Sequence, residues 1–109
     1  MSNGGKDSDH AGAINGIDRT IHEPARLMIM AYLYVVDSAD FLFLERQTGL
    51  TRGNLSSHLT KLETAGYVEI TKEFVEKIPR TILRLTPTGR AAFQEYRQSM
   101  REILDRLPD

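Results

Sequence analysis

Residues 41–66 read FLFLERQTGLTRGNLSSHLTKLETAG, and the rest of the chain is organised around this stretch. Phe41, Leu42 and Leu44 open a short apolar helical segment that runs to Thr48. Gly49, Leu50 and Thr51 form a turn, and a second helix is expected from Arg52 to about Ala65. Thr51 is a good N-cap, because its hydroxyl can accept an orphan backbone N–H from the first turn. Gly66 stands where a left-handed residue would end the helix. Two helices joined by a short turn containing glycine are the signature of a helix-turn-helix.

The second helix has an inside and an outside. Leu55, Leu59 and Leu62 recur at spacings of four and three, which stacks them on one face. Gly53, Ser57, Thr60 and Thr64 point the opposite way, flanked by Asn54, Ser56 and Lys61. A merely solvated helix more often carries Glu and Lys pairs, which stabilise it. A Ser/Thr/Asn surface gives up helix propensity. It gains small groups that admit close approach, with donors and acceptors suited to phosphates and base edges. The plainer reading is an ordinary amphipathic core helix, and the flanking segments weigh against it.

The chain has 109 residues, enough for one domain with a modest core. With no cysteine, disulfides, thiolate chemistry and a Cys-based zinc site are excluded. His10, His22 and His58 are scattered, so no metal or other cofactor is expected. No apolar run reaches membrane-spanning length and the N-terminus lacks a signal-peptide pattern, so a cytoplasmic location is expected. A net charge of −1 is unlike a simple nucleic-acid binder. Its distribution is uneven, however. Between Thr51 and Arg90 there are seven basic residues against four acidic ones, which favours a basic face in the second half.

Residues 1–13 are polar and glycine-rich and are expected to form a disordered tail, with one domain over 14–109. Ile14, Ile17 and Ile21 then appear at helical spacing, as in a short arm that packs on something. Pro24 suits the first turn of a helix, where its missing N–H costs nothing. From Ala25 to Val36 the chain is almost uniformly apolar, which implies burial on more than one side. After Gly66 the period changes to two. Strands are expected over 67–74 and 81–85, joined by the loop VEKIPR at 75–80. Helix-turn-helix followed directly by a hairpin with basic residues near its tip makes a winged helix, in which the wing lies along the DNA backbone or minor groove. Glu73 and Glu76 in that wing oppose phosphate contact. The expected fold class is thus mainly α with a small β-hairpin (α+β), extended by a long C-terminal dimerisation helix.

Thr86 and Pro87 open that last helix as N-cap and first helical residue. Gly89 has no propensity reason to be in its first turn, and close approach to the body of the domain would explain it. Phe93, Tyr96, Met100, Ile103 and Leu107 recur at alternating spacings of three and four, a coiled-coil type of seam. The seam either packs on its own domain or meets a second copy. A dimer contact with the Ala25–Val36 helix is favoured, with Ile17, Ile21, Met28, Tyr32, Phe93, Tyr96, Met100, Ile103 and Leu107 as candidate interface residues. A pocket between the two helices would suit a small apolar effector.

The segments IHEPARLMIMAYL, DFLFLERQTGLTRGNLSSHLTKLETAGYVEI and PRTILRLTPTGRAAF, in this order and spacing, resemble small winged-helix regulators related to the MarR and ArsR families. The resemblance covers roughly the last four-fifths of the chain. It implies a cytoplasmic prokaryotic transcription factor acting as a homodimer on a roughly palindromic operator in double-stranded DNA. It places Arg52, Asn54, Ser56, Ser57, Thr60 and Lys61 in the major groove, and gives Lys72, Lys77 and Arg80 the wing role. Arg80 is equally open to a structural role, tying the hairpin to the domain. His58 matches a histidine common in such helices and is expected to brace the helix at the core boundary. The missing cysteines depart from metal- and redox-sensing relatives. The competing reading is a winged helix used for protein–protein interaction without DNA. No phosphate-binding glycine loop, nucleophile with a paired base, or metal-ligand spacing points to an enzyme.

Overall fold

The computed structural model describes residues 16–108, so the expectation for residues 1–13, and Ile14 with it, lies outside the described part. Pro24–Val36 form helix α1, Ser38–Asp40 strand β1, Phe41–Thr48 helix α2 and Arg52–Thr64 helix α3. Val68–Val75 form β2, Ile78–Leu85 β3 and Pro87–Asp105 helix α4. The strands make one antiparallel sheet in the order β1-β3-β2. This is a winged helix-turn-helix, α+β as expected.

Local chemistry sets the helix ends. Glu23, Asp40, Thr51 and Thr86 are the N-caps, their side chains accepting from Arg26, Phe43, Asn54 and Gly89 backbone N–H groups respectively. α3 ends in a Schellman turn: Gly66 has φ +82°, its N–H donates to the Glu63 carbonyl, and the Tyr67 N–H reaches the Leu62 carbonyl.

The helices enclose one core. Ile29, Met30 and Leu33 of α1, Leu44 of α2, Leu55, Leu59 and Leu62 of α3, Val68 and Leu83 of the sheet, and Phe93 and Tyr96 of α4 are all buried. The arm preceding α1 closes it. Ile17 and Ile21 are buried there, and Asp18 Oδ1 accepts the Thr20 and Ile21 backbone N–H groups at 2.9 and 3.1 Å. The other carboxylate oxygen of Asp18 takes a hydrogen bond from the Tyr67 hydroxyl. Burial, reinforced by that carboxylate, pushes the Tyr67 phenol up to about 12.

Two expectations for the sheet needed correction. Ser38–Asp40, where no strand was expected, pair with Ile82–Arg84 as a third strand. The connection between β2 and β3 is not a six-residue loop but Glu76 and Lys77 alone, since Val75 already pairs with Ile78. Both turn residues have positive φ, 54° and 69°, as a two-residue hairpin of type I′ demands. A two-residue turn closes on a hydrogen-bonded pair, which makes the next pair, Phe74 with Pro79, non-hydrogen-bonded. Pro79 therefore stands in a strand without costing the ladder a donor.

Neither Glu76 nor Lys77 suits the left-handed region, where a non-glycine residue costs of order 1–3 kcal/mol. Replacing the pair by Asn-Gly is expected to stabilise the domain by about 1 kcal/mol. That corresponds to a melting temperature higher by about 4–8 °C, readable by scanning calorimetry.

The apolar seam of α4 divides. Phe93 and Tyr96 are buried against their own chain, with the Tyr96 hydroxyl 2.9 Å from His22 Nδ1. Met100 and Ile103 are half-buried, and Leu107 is 63% exposed beyond the body of the domain. α1 divides likewise: Met28 and Tyr32 are half-buried, while Ile29 and Leu33 face inward. Ile17, Ile21, Phe93 and Tyr96 were grouped with a dimer contact. They are core residues of the single chain, and Ile21, at 0% exposure, has no surface left to offer a partner. The apolar period could not reveal what covers each face.

Candidate nucleic-acid interface

Helix α3 is held from inside by its leucines and at its middle by a polar brace. His58 Nδ1 lies 3.1 Å from Arg26 Nη1 and 3.8 Å from Glu23 Oε1, both at the start of α1. Arg26 Nε also donates to the Thr20 carbonyl at 2.5 Å. Burial pushes the Glu23 carboxyl up, but the Arg26 backbone N–H and the nearby His58 and Arg26 charges outweigh it, and its pKa falls below the usual value. Arm, α1 and α3 are thereby joined at one corner, with His58 as the brace expected of it.

The opposite face of α3 is open. Arg52, Gly53, Asn54, Ser56, Ser57, Thr60, Lys61 and Thr64 are all exposed, and no carboxylate falls between Arg52 and Leu62. The Thr60 hydroxyl donates to the Ser56 carbonyl at 3.0 Å, which leaves its lone pairs to accept. Arg52 is loosely tethered: its side chain is 69% exposed, 3.9 Å from Glu45 and 5.4 Å over the Phe41 ring. An exposed pair of that length contributes little and yields readily to a phosphate.

The hairpin stands beside this face. Arg80 Nη1 donates to Asp40 Oδ2 at 2.9 Å, while Asp40 Oδ1 caps α2. One carboxylate thus locks the root of the wing to the helix-turn-helix, which is the tying role left open for Arg80. Between wing and α3 lies a cleft of about 450 Å³ lined by residues including Arg52, Ser56, Ile78, Arg80 and Thr81. Lys72 and Lys77 are exposed further out. Glu73 lies 3.8 Å from Arg84, so its charge is locally offset. The tip is more apolar than a basic loop would be, with Phe74 78% and Ile78 55% exposed.

The space between α1 and α4 is not apolar. A cleft of about 260 Å³ there is lined by Tyr34, Gln94, Arg97, Gln98 and Arg101. Arg90 and Arg97 lie over the Tyr34 ring at 4.7 and 5.7 Å, and Gln94 donates to its hydroxyl at 3.1 Å. The apolar cleft, about 490 Å³, lies instead between the arm and α4, against Ile17, Met100 and Ile103 and rimmed by Arg19 and His22. No helix among the described residues is long and apolar enough to cross a membrane.

Two helices presented on a turn, a hairpin locked beside them and an open, carboxylate-poor helix face define a winged helix-turn-helix protein. A family model described as winged helix DNA-binding domain matches residues 25–104, and the chain belongs to that family. An uncharacterized protein of Methanocaldococcus jannaschii is 41% identical over 71 residues, 65% of this chain and 77% of that one. The structure of a transcriptional regulator homologue protein from Pyrococcus horikoshii OT3 superposes with a TM-score of 0.82 at 29% identity, covering 86% of this chain and 95% of that one. A MarR family transcriptional regulator from Silicibacter pomeroyi shares the fold, with a TM-score of 0.63 at 24% identity over 88% of this chain and 64% of that one. The fold is one shared with transcriptional regulators.

Proposed function

We propose that this protein is a sequence-specific regulator that binds a roughly palindromic operator as a homodimer in the cytoplasm, with α3 in the major groove. The observation that carries this reading is the exposed face from Arg52 to Lys61, free of carboxylates and braced rigidly from behind by Leu55, His58, Leu59 and Leu62. Asn54, Ser56, Ser57 and Thr60 are the base-reading candidates, and Arg52 and Lys61 the phosphate contacts, with Lys72 and Lys77 following along the backbone. The dimer contact falls to the apolar residues that keep surface exposed on the single chain: Met28, Tyr32, Met100, Ile103 and Leu107. Two copies would present their α3 helices to half-sites about 34 Å apart.

A gel shift on the DNA flanking its own gene, titrated with salt, tests this. Binding is expected to weaken steeply as salt rises. Lys61→Ala should weaken all sequences alike, whereas Asn54→Ala should alter base preference, worth about 1–3 kcal/mol at one position. An unchanged preference in Asn54→Ala removes that residue from base reading. Binding that is absent or insensitive to salt on every fragment would favour a protein-interaction role, for which the exposed apolar wing tip is the supporting feature.

A further inference from the structure

On the side of α3 away from the wing, the arm and the helix enclose a cleft of about 460 Å³. Arg19 and Thr20 of the arm, Arg26 of α1, and Thr60, Lys61 and Thr64 of α3 line it with Ala65, and none of these is a carboxylate. Arg26 is committed to the Thr20 carbonyl and to His58. Arg19 and the Lys61 ammonium have no ion pair or hydrogen bond within the described residues, and both are exposed.

Arg19 is not on a loose strand. Ile17 and Ile21 are buried on either side of it, and Asp18 fixes the turn through two backbone hydrogen bonds and the Tyr67 hydroxyl. The turn holds Arg19 on the ridge between this cleft and the apolar one beside α4. Two unpaired cations and two threonine hydroxyls, Thr20 and Thr64, converging on a concave surface are the donor set of an oxyanion with several acceptor oxygens.

The position selects the anion. The wing cleft is lined by Arg52 and Ser56, and this cleft by Thr60, Lys61 and Thr64, so the two open at opposite ends of the same exposed helix face. From the middle of one set to the middle of the other is about eight residues, or roughly 12 Å at 1.5 Å per residue. The major groove is about 12 Å wide between its phosphate walls. We propose that this cleft binds a backbone phosphate of the DNA strand opposite the one met by the wing, with Arg19 and Lys61 as its ligands. The N-terminal arm is then part of the DNA interface, and α3 is gripped on both walls of the groove. This rests on the reading of α3 as the groove-seated helix.

The test is a salt titration of full-length protein on its best-bound duplex, for wild type, Arg19→Ala, Arg19→Lys and Thr64→Glu. Losing one phosphate contact should reduce the slope of log affinity against log salt by about 0.9, which is about a fivefold loss near 0.15 M salt. Arg19→Ala is expected to show that loss with base preference unchanged, Arg19→Lys to recover the slope, and Thr64→Glu to weaken binding more than tenfold. Both positions are exposed, and matching thermal melts establish that the fold is intact. Wild-type slope and affinity in both Arg19→Ala and Thr64→Glu would overturn the cleft while leaving α3 as the reading helix. A wild-type protein that binds no duplex in a salt-dependent way would overturn both.

Discussion

Gly89→Ala is expected to destabilise the domain by about 3 kcal/mol, read as a large drop in the midpoint of urea unfolding. Gly89 is buried in the first turn of α4, and a Cβ placed on it would stand 2.2 Å from the Tyr67 carbonyl oxygen and 2.9 Å from its carbon. Those atoms are backbone and cannot swing aside. The same carbonyl accepts the Thr86 N–H at 3.0 Å, while the Thr86 hydroxyl donates to the Gly66 carbonyl at 2.6 Å. Moving Tyr67 away would break the join between the end of α3 and the start of α4. Overpacking usually costs about 1–3 kcal/mol, and a collision with fixed backbone belongs at the upper end. Alanine's better helix propensity, worth about 1 kcal/mol in an open helix, cannot offset it. A midpoint equal to wild type would show that the two segments separate freely.

Leu62→Ala is expected to cost about 2–5 kcal/mol, because Leu62 is wholly buried in the last turn of α3. Against a total stability of about 5–15 kcal/mol, that is a large fraction. Ser57→Ala, on the outer face of the same helix, should leave stability within about 0.5 kcal/mol. Measured side by side on duplex DNA and in urea, the pair should separate cleanly. Leu62→Ala should lower the unfolding midpoint, and Ser57→Ala should weaken DNA binding with an unchanged midpoint. Equal midpoints for the two variants would mean that burial of Leu62 contributes nothing to the stability of the domain.

The parts of this fold that could be read from sequence are those governed by near neighbours. Thr51, Gly66 and Thr86 announced helix ends because a cap acts over three or four residues, and they stand where they were placed. The Leu55, Leu59, Leu62 stripe gave the inner face for the same reason. Strand β1 could not be read that way, because Ser38-Ala39-Asp40 has no alternation and is a strand only because β3 offers it an edge. The hairpin turn was also hidden. Glu76 and Lys77 are poor turn residues, and their positive φ is imposed by the register of the strands around them. Periodicity showed that Ile21, Phe93 and Tyr96 are covered but not by what, and the cover is their own chain. Arg19 was missed because nothing near it in sequence marks it. It comes beside Lys61 only through a turn held by Tyr67, 49 residues beyond Asp18.

Tyr67 meets four parts of the chain through three different groups. Its amide completes the end of α3, its carbonyl receives the start of α4 while the strand β2 begins beside it, and its hydroxyl holds the arm. Displacing Tyr67 would break its hydrogen bonds to the end of α3, the start of α4 and the arm together. Their openings are therefore coupled into a single cooperative unit, and protection of their amides from exchange with solvent is a property held in common and not by each segment alone.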